Sequence, residues 1–481
     1  MDMDLTSNSS QSVITCRNSQ GTQLTANLLR INRYSVVFEV YNPYSILQLS
    51  EVLSDFRIMA SRRQVYHGKA VISNLLHTGI GLVCEAMLDE GWMELDFHAS
   101  VTGLNAVAGQ DGGDLASQFV NFMSEWKSAN QVQTPFKLVV SNMASMLIGV
   151  QHWLTAVDVG IRTTVTRRRE DIEQEIFATV QSRVVDEIHP AMQRFEEVVA
   201  ELEKSEVAVH KSFVRRQLHP ILLCSPFLYR SYIKPLGYAG DYEMVNMMLR
   251  NPYEGPSAFA KLLNFALLNT APVVAHRNRI DYLLDKLRVE CARRAPMGKT
   301  RIFNLSCGPA MEIQRFLREC EESDLAEIDL LDFNEETLDY TRERIDRARR
   351  DGGSEAKVAF LQRSVQQLLR AATQSGDDEF TGYDIVYCAG LFDYLSQRVC
   401  KRLVELFCTM VKPGGLIIVT NVSDANPSKA WMEYLMEWNL IYRGRKEMED
   451  LVPENALIKN TRILADATEV NLFLEIELEN G

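Results

Sequence analysis

The residues best spaced for chemistry lie at two strand ends. Arg301-Ile-Phe-Asn-Leu-Ser-Cys-Gly-Pro-Ala310 reads as a buried strand that stops at a glycine turn before a helix. Small side chains there let a nucleotide-like cofactor approach the backbone. A second apolar strand, Glu327-Ile-Asp-Leu-Leu331, delivers Asp332 at its carboxyl end, where a carboxylate can accept both hydroxyls of a ribose. Asn304, Ser306, Gly308, Asp332 and Phe333 are thus candidate cofactor-binding residues.

Two further segments narrow the cofactor. Asp384-Ile-Val-Tyr-Cys-Ala-Gly-Leu-Phe-Asp-Tyr394 and Val411-Lys-Pro-Gly-Gly-Leu-Ile-Ile-Val-Thr420 resemble the fourth and fifth strand regions of class I methyltransferases. The resemblance runs from about Thr300 to Glu477 and implies S-adenosylmethionine (SAM) as cofactor, with Cys388, Gly390, Ser364 and Val365 joining the site. Departures from the family pattern are specific. Asn304 stands where an acidic residue is usual, Ser306 and Ala310 stand where glycines are usual, and Ser364 replaces an aspartate that would meet the adenine amino group. No histidine follows His276 and no His-rich metal motif is present, so neither a general base nor a metal is expected in the catalytic region.

Ser225-Pro-Phe-Leu-Tyr-Arg-Ser-Tyr-Ile-Lys-Pro-Leu-Gly-Tyr-Ala-Gly-Asp-Tyr-Glu243 reads as a functional loop, rich in Pro, Gly and Tyr. With Trp431-Met-Glu-Tyr-Leu-Met-Glu-Trp-Asn-Leu-Ile-Tyr-Arg443, it resembles the bacterial extracellular-factor type of methyltransferases, associated with 3-hydroxypalmitic acid methyl ester synthesis. That resemblance implies O-methylation of a fatty-acyl carboxylate, free or on a carrier protein, to a diffusible methyl ester. A carboxylate acceptor is already ionised at neutral pH and needs alignment more than proton transfer. Arg230, Lys234, Tyr442 and Arg443 are the candidate clamp, and Tyr238, Asp241 and Tyr242 the candidate lining. Arg277 or Arg279 could reach the SAM carboxylate, whereas His276 reads as a cap or a packed residue. Two other readings stand beside this one: SAM chemistry on another small acceptor, and a non-catalytic SAM-binding regulator.

These segments need a multidomain chain to position them. Its 481 residues exceed one typical core. Residues 1–112 carry short β-branched runs (Ser12 to Thr15, Val36 to Tyr41, Val65 to Ile72, Gly81 to Leu88) broken at Asn18 to Gly21, Asn42-Pro43 and Thr78-Gly79, the pattern of a small β-barrel. Gly68 to Leu82 resembles a PilZ domain, which implies cyclic di-GMP binding. Asn74 and Gly79 fit that signature, but Leu76 replaces its serine and no R-x-x-x-R precedes Cys16, so a structural or docking barrel is expected.

Residues 113–290 show helical periodicity, as at Ile172, Ile176, Val180 and Val184, and could form a lid, a linker or a homodimer element. Residues 291–481 alternate strands and helices, with a last strand at Val470 to Glu477, giving an α/β, Rossmann-like class I methyltransferase domain. The net charge of −13 argues against a nucleic-acid partner. Nine scattered cysteines, no apolar run of ~18 residues, and a polar start without a secretory pattern point to the cytoplasm and to no membrane span.

Overall fold

The computed structural model describes residues 13–32, 34–40, 47–60, 63–77, 81–88, 120, 123, 131–163, 168–374 and 380–480. The residues before Val13, Asn42-Pro43, Thr78-Gly79 and the boundary near 112 lie outside them. In chain order the strands are β1 (Val13–Arg17), β2 (Gln23–Ile31), β3 (Ser35–Val40), β4 (Val52–Ala60), β5 (Arg63–His77) and β6 (Leu82–Leu88). Helices α1 (Thr134–Arg162), α2 (Arg169–Ala200), α3 (Val207–Leu222), α4 (Pro226–Ile233), α5 (Tyr242–Leu249), α6 (Ala258–Leu268) and α7 (Ala271–Arg294) come next. The rest alternates: β7 (Thr300–Leu305), α8 (Met311–Glu319), β8 (Ala326–Asp332), α9 (Glu335–Gly352), β9 (Lys357–Gln362), α10 (Val365–Gln374), β10 (Tyr383–Cys388), α11 (Gln397–Met410) and β11 (Val411–Val422). Helices α12 (Lys429–Leu435) and α13 (Arg445–Glu449) precede the closing strands β12 (Ile458–Ala465) and β13 (Asn471–Leu478).

The chain divides into two compact units. One holds residues 1–239, 254–266 and 429–439, the other residues 240–253, 267–428 and 440–481. In the first, the strands close a barrel in the order β1-β2-β3-β6-β5-β4, as expected. Phe38, Phe56 and Tyr66 fill it, with ring centroids 5.7 and 6.2 Å apart along the series. The run pattern missed β2 and β4. In β4 the period-2 alternation is broken by a bulge between Leu53 and Phe56, with Asp55 at φ +48°, and a bulge shifts every later side chain to the other face. Leu76, on β5, is 63% exposed.

The first unit's helices pack on an aromatic core in which Phe136 lies 5.6 Å from Phe195, and Phe195 lies 6.3 Å from Trp431 of α12. Trp431, Met432, Leu435, Met436 and Trp438 are all buried, so the aromatic run after Lys429 is core. Within this unit the barrel is tied to the same segment by Ser50, whose Oγ donates to Asn439 O at 2.9 Å.

The second unit is a seven-stranded sheet of order β12-β13-β11-β10-β7-β8-β9. Strands β9, β8, β7, β10 and β11 pair in parallel, and β13 runs antiparallel to both β11 and β12. Buried apolar runs with helical crossovers dictate the parallel part. Strand β12 was not foreseen because its residues are only half buried and lack a continuous apolar run. Among the described residues, no single helix is long and apolar enough to cross a membrane.

Candidate active site

Ligands of open α/β sheets bind beyond the carboxyl ends of the strands, where the strand order reverses. Here that point lies between β7 and β10. The turn after β7 holds Ser306, Gly308 and Ala310 at φ +58°, +52° and +48°. Two of these are not glycine, and each non-glycine residue in that region costs on the order of 1 kcal/mol. The turn is held from within: Cys307 N donates to Leu331 O at 3.0 Å, Ala310 N to Cys307 O at 2.9 Å, and Thr341 Oγ1 to Gly308 O at 2.7 Å.

Asp332 completes that bracing. Its Oδ2 accepts from Gly308 N at 3.1 Å and its Oδ1 from Asn334 N at 3.0 Å. Burial pushes its carboxyl above the usual range, and these amides oppose the shift. It is not the cap of α9, because Asn334 fills that place by accepting from Thr337 N at 2.9 Å. The Phe333 amide also acts on this carboxylate, and with about four acceptor positions on its two oxygens at least one is left for a hydroxyl.

Asn304, buried at the end of β7, sits in register with Tyr387 of β10. Its Nδ2 donates to Tyr387 Oη at 2.9 Å and to Glu312 Oε1 at 3.2 Å, and Tyr387 Oη donates to the same Glu312 oxygen at 2.8 Å. The carboxylate that Asn304 lacks is therefore supplied eight residues later, from the first turn of α8. Burial raises the Glu312 carboxyl, while Tyr387, Arg279 and Asn304 hold it down. Asn304 Oδ1 is buried with no hydrogen-bond partner among the described residues.

Arg279 of α7 faces this cluster across Gly390. That glycine has φ +94°, and a β-carbon there would stand 3.0 Å from Arg279 Nη1, so any other residue would strain the backbone and press on the guanidinium. Arg279 Nη2 donates to His276 Nδ1 at 2.9 Å, and Asp393 and Glu312 offset the burial that lowers its pKa. Burial and the neighbouring arginines push the His276 imidazolium well below its usual range, which leaves the ring neutral as an acceptor. Arg277 is committed elsewhere, donating to Met248 O at 2.8 Å and Leu268 O at 2.7 Å.

Ser364 is the N-cap of α10. Its Oγ accepts from Gln367 N at 3.3 Å, and Gln367 Oε1 accepts from Ser364 N at 2.8 Å. Val365 opens that helix, and Phe333 follows Asp332, both partly buried. Cys388 is fully buried at the end of β10, its thiol pushed well up by burial, so it is no thiolate nucleophile.

The candidate acceptor residues divide between the units. In the second, Asp241 caps α5, accepting from Met244 N at 2.9 Å. Tyr242 Oη donates to Glu336 Oε1 at 2.9 Å, and its ring stacks on Tyr340 at 4.6 Å. Both partners lie in the first turns of α9, just after Asp332. Tyr442 is partly buried, whereas Arg443 is 1% exposed. The Arg443 guanidinium donates to Phe392 O at 2.7 Å, Asn421 Oδ1 at 2.5 Å, Leu395 O at 2.6 Å and Gln397 Oε1 at 2.7 Å. These bonds bind the turn after β10 to β11 and α11.

In the first unit, Lys234 is buried, donates to Met436 O at 2.7 Å and is lowered to about 8 by burial. Arg230 and Tyr238 are partly buried there. The Ser225–Glu243 stretch is loop only from Lys234 to Asp241. Its first half is α4, with Pro226 at the first helical position and Ser225 Oγ accepting from Leu228 N at 3.3 Å. Proline suits that position because the N–H it lacks has no helical partner there. Tyr238 therefore lies outside any helix and makes no helical pair with Tyr242.

The strand order, the β7 turn and the acidic end of β8 define a class I methyltransferase fold in the second unit. No family model and no curated protein matches the chain. Solved structures with a similar chain course include a possible exported protein from Bordetella parapertussis, at 14% identity and TM-score 0.40, covering 62% of this chain and 97% of that one. Another is the magnesium protoporphyrin IX methyltransferase of Synechocystis PCC 6803 with bound SAH, at 11% and 0.32, covering 43% and 84%. A third is the N-methyltransferase NodS of Bradyrhizobium japonicum WM9 with S-adenosyl-L-homocysteine, at 12% and 0.30, covering 49% and 97%. The fold assignment rests on the strand order and register of this chain.

Proposed function

We propose that the second unit binds SAM at the β7–β10 switch point and that the protein O-methylates the carboxylate of a 3-hydroxy fatty acyl chain, as the extracellular-factor resemblance suggests. The observation that carries the cofactor reading is the use of the turn's amides. Dinucleotide sites aim such N–H groups at a pyrophosphate. Here they are spent on Leu331 O, Asp332 and Cys307 O, which suits a nucleoside cofactor without phosphates.

The groups that remain fit SAM. A β-carbon on Gly308 would meet nothing within 4 Å, so the turn is open above. Asn304 Oδ1 is an unmatched acceptor for the ammonium, Arg279 has donors beyond its one bond to His276 for the carboxylate, and Asp332 keeps an acceptor position for the ribose. Ser364, Val365 and Phe333 are the proposed adenine contacts. When bound, SAM supplies an electrophilic methyl carbon on a sulfonium.

The protein's contribution to transfer is then alignment and exclusion of water. Tyr242 and Tyr442 are proposed to line the acceptor side of the second unit, with Asp241 and Arg443 positioning them through the cap of α5 and the turn after β10. Arg230, Lys234 and Tyr238 are the proposed acyl-site residues of the first unit. Modules 1–112, 113–290 and 291–481 would act as docking barrel, helical lid or dimer element, and catalytic domain of a cytoplasmic enzyme. The test is incubation of the intact protein with methyl-deuterated SAM and a series of free 3-hydroxy fatty acids, with carrier-bound thioesters, which lack the carboxylate, as the comparison. Mass spectrometry should find labelled methyl esters; label confined to amines or carbon would move the acceptor class, and no product from any acceptor would remove the enzymatic reading.

A further inference from the structure

A second concave site lies in the same unit, lined by none of the residues proposed to hold SAM. A groove of about 590 Å³ runs between α5, α7, α8 and α9, a size suited to a small-molecule ligand. Five guanidinium groups enter its lining: Arg277 from α7, Arg315 and Arg318 from α8, Arg344 from α9, and Arg250 from the residue just after α5. Its lining carboxylates are Glu243 and Asp281, and with Glu319, which pairs with two of the arginines, the groove carries two net positive charges on a chain of net −13. An acidic protein does not gather cations this way for solubility.

Arg250 pairs with Glu243 at 2.5 Å, and the other four arginines are held but not saturated. Arg277 is fixed by two backbone carbonyls. Arg315 and Arg318 pair with Asp281 and Glu319, whose side chains are 65% and 39% exposed. Pairs this open contribute little, so a better-matched anion can replace the carboxylates at small cost. Arg344 has no carboxylate partner among the described residues and lies over the Tyr340 ring at 5.0 Å, its donors left for an oxyanion. Leu249 and Ile280 add apolar wall beside them.

We propose that this groove binds a phosphorylated small molecule of nucleotide size, its phosphates forked by the guanidinium groups and its organic part against Leu249 and Ile280. Arginine forks match phosphate oxygens bidentately, and the elements converging on one groove supply several at once. The site does not depend on the cofactor reading, because none of the residues proposed to hold SAM lines it.

Calorimetric titration of the full chain with ADP and with inorganic triphosphate, at low salt, tests it. Saturable binding of both probes is expected, weakened on the order of tenfold or more by Arg344→Glu and by Arg318→Glu, retained in Asp332→Ala, and reduced as salt rises. Circular dichroism checks that each variant folds, and Arg318→Gln and Arg344→Gln serve if a charge reversal does not. No binding of either probe up to about 1 mM, equal binding in the arginine variants, or loss of binding in Asp332→Ala would each overturn the proposal.

Discussion

Tyr387 donates a 2.8 Å hydrogen bond to Glu312 between β10 and the first turn of α8, and Asn304 of β7 donates to both. The bond joins the two strands on either side of the switch point to the helix that follows the turn. Removing the phenol leaves a buried carboxylate short of one donor, and a hydrogen bond to a charged group contributes about 1.5–3 kcal/mol. Tyr387→Phe should lower unfolding stability by about that much in urea titration and weaken SAM binding, while Glu312→Ala, which strands two donors, should cost more.

This network also shows what a single sequence conceals. The missing acid at Asn304 was legible, but its replacement was not. A glutamate in the first turn of a helix ordinarily faces solvent and favours the helix dipole; only the packing of α8 on β7 and β10 turns Glu312 inwards. By contrast β7, β8, β10 and β11 were readable because buried parallel strands are nearly continuous apolar runs. Strand β4 was hidden by its bulge at Asp55, β12 by partial exposure, and α4 by a proline that reads as a breaker yet starts the helix.

Gly390 is a sensitive point. Alanine there would combine a φ of +94° with a β-carbon 3.0 Å from Arg279 Nη1. Gly390→Ala should lower stability by about 1–3 kcal/mol and displace the guanidinium, weakening SAM on the order of tenfold in calorimetry.

Arg443 should behave as a structural residue. Its guanidinium serves four acceptors, and a lysine ammonium cannot reach them all. Arg443→Lys should cost about 3 kcal/mol or more in stability, read by thermal melting. A normal melting temperature with a selective rise in acceptor KM would show instead that Arg443 clamps substrate.

Asp393 sets a pH dependence. Burial raises its carboxyl from 3.8 to about 6, against the Val422 amide, Arg279 and Arg443. The folded state therefore holds the proton more tightly than the unfolded chain. The contribution is full below about pH 4 and is lost as pH rises through about 6, a difference on the order of 3 kcal/mol. Asp393→Asn keeps the oxygen that accepts from Val422 N at 2.6 Å and should remove that limb. Comparison of stability against pH for the two proteins checks it, and parallel curves between pH 4 and 7 would count against it.

The most direct test of the central claim is calorimetric titration of the intact protein with SAM and S-adenosylhomocysteine, in the wild type, Asp332→Asn and Arg279→Met. One site of micromolar affinity is expected, weakened on the order of tenfold or more in both variants while their circular dichroism stays unchanged. Absence of binding to the folded wild type, or equal affinity in all three proteins, would contradict a SAM site between β7 and β10.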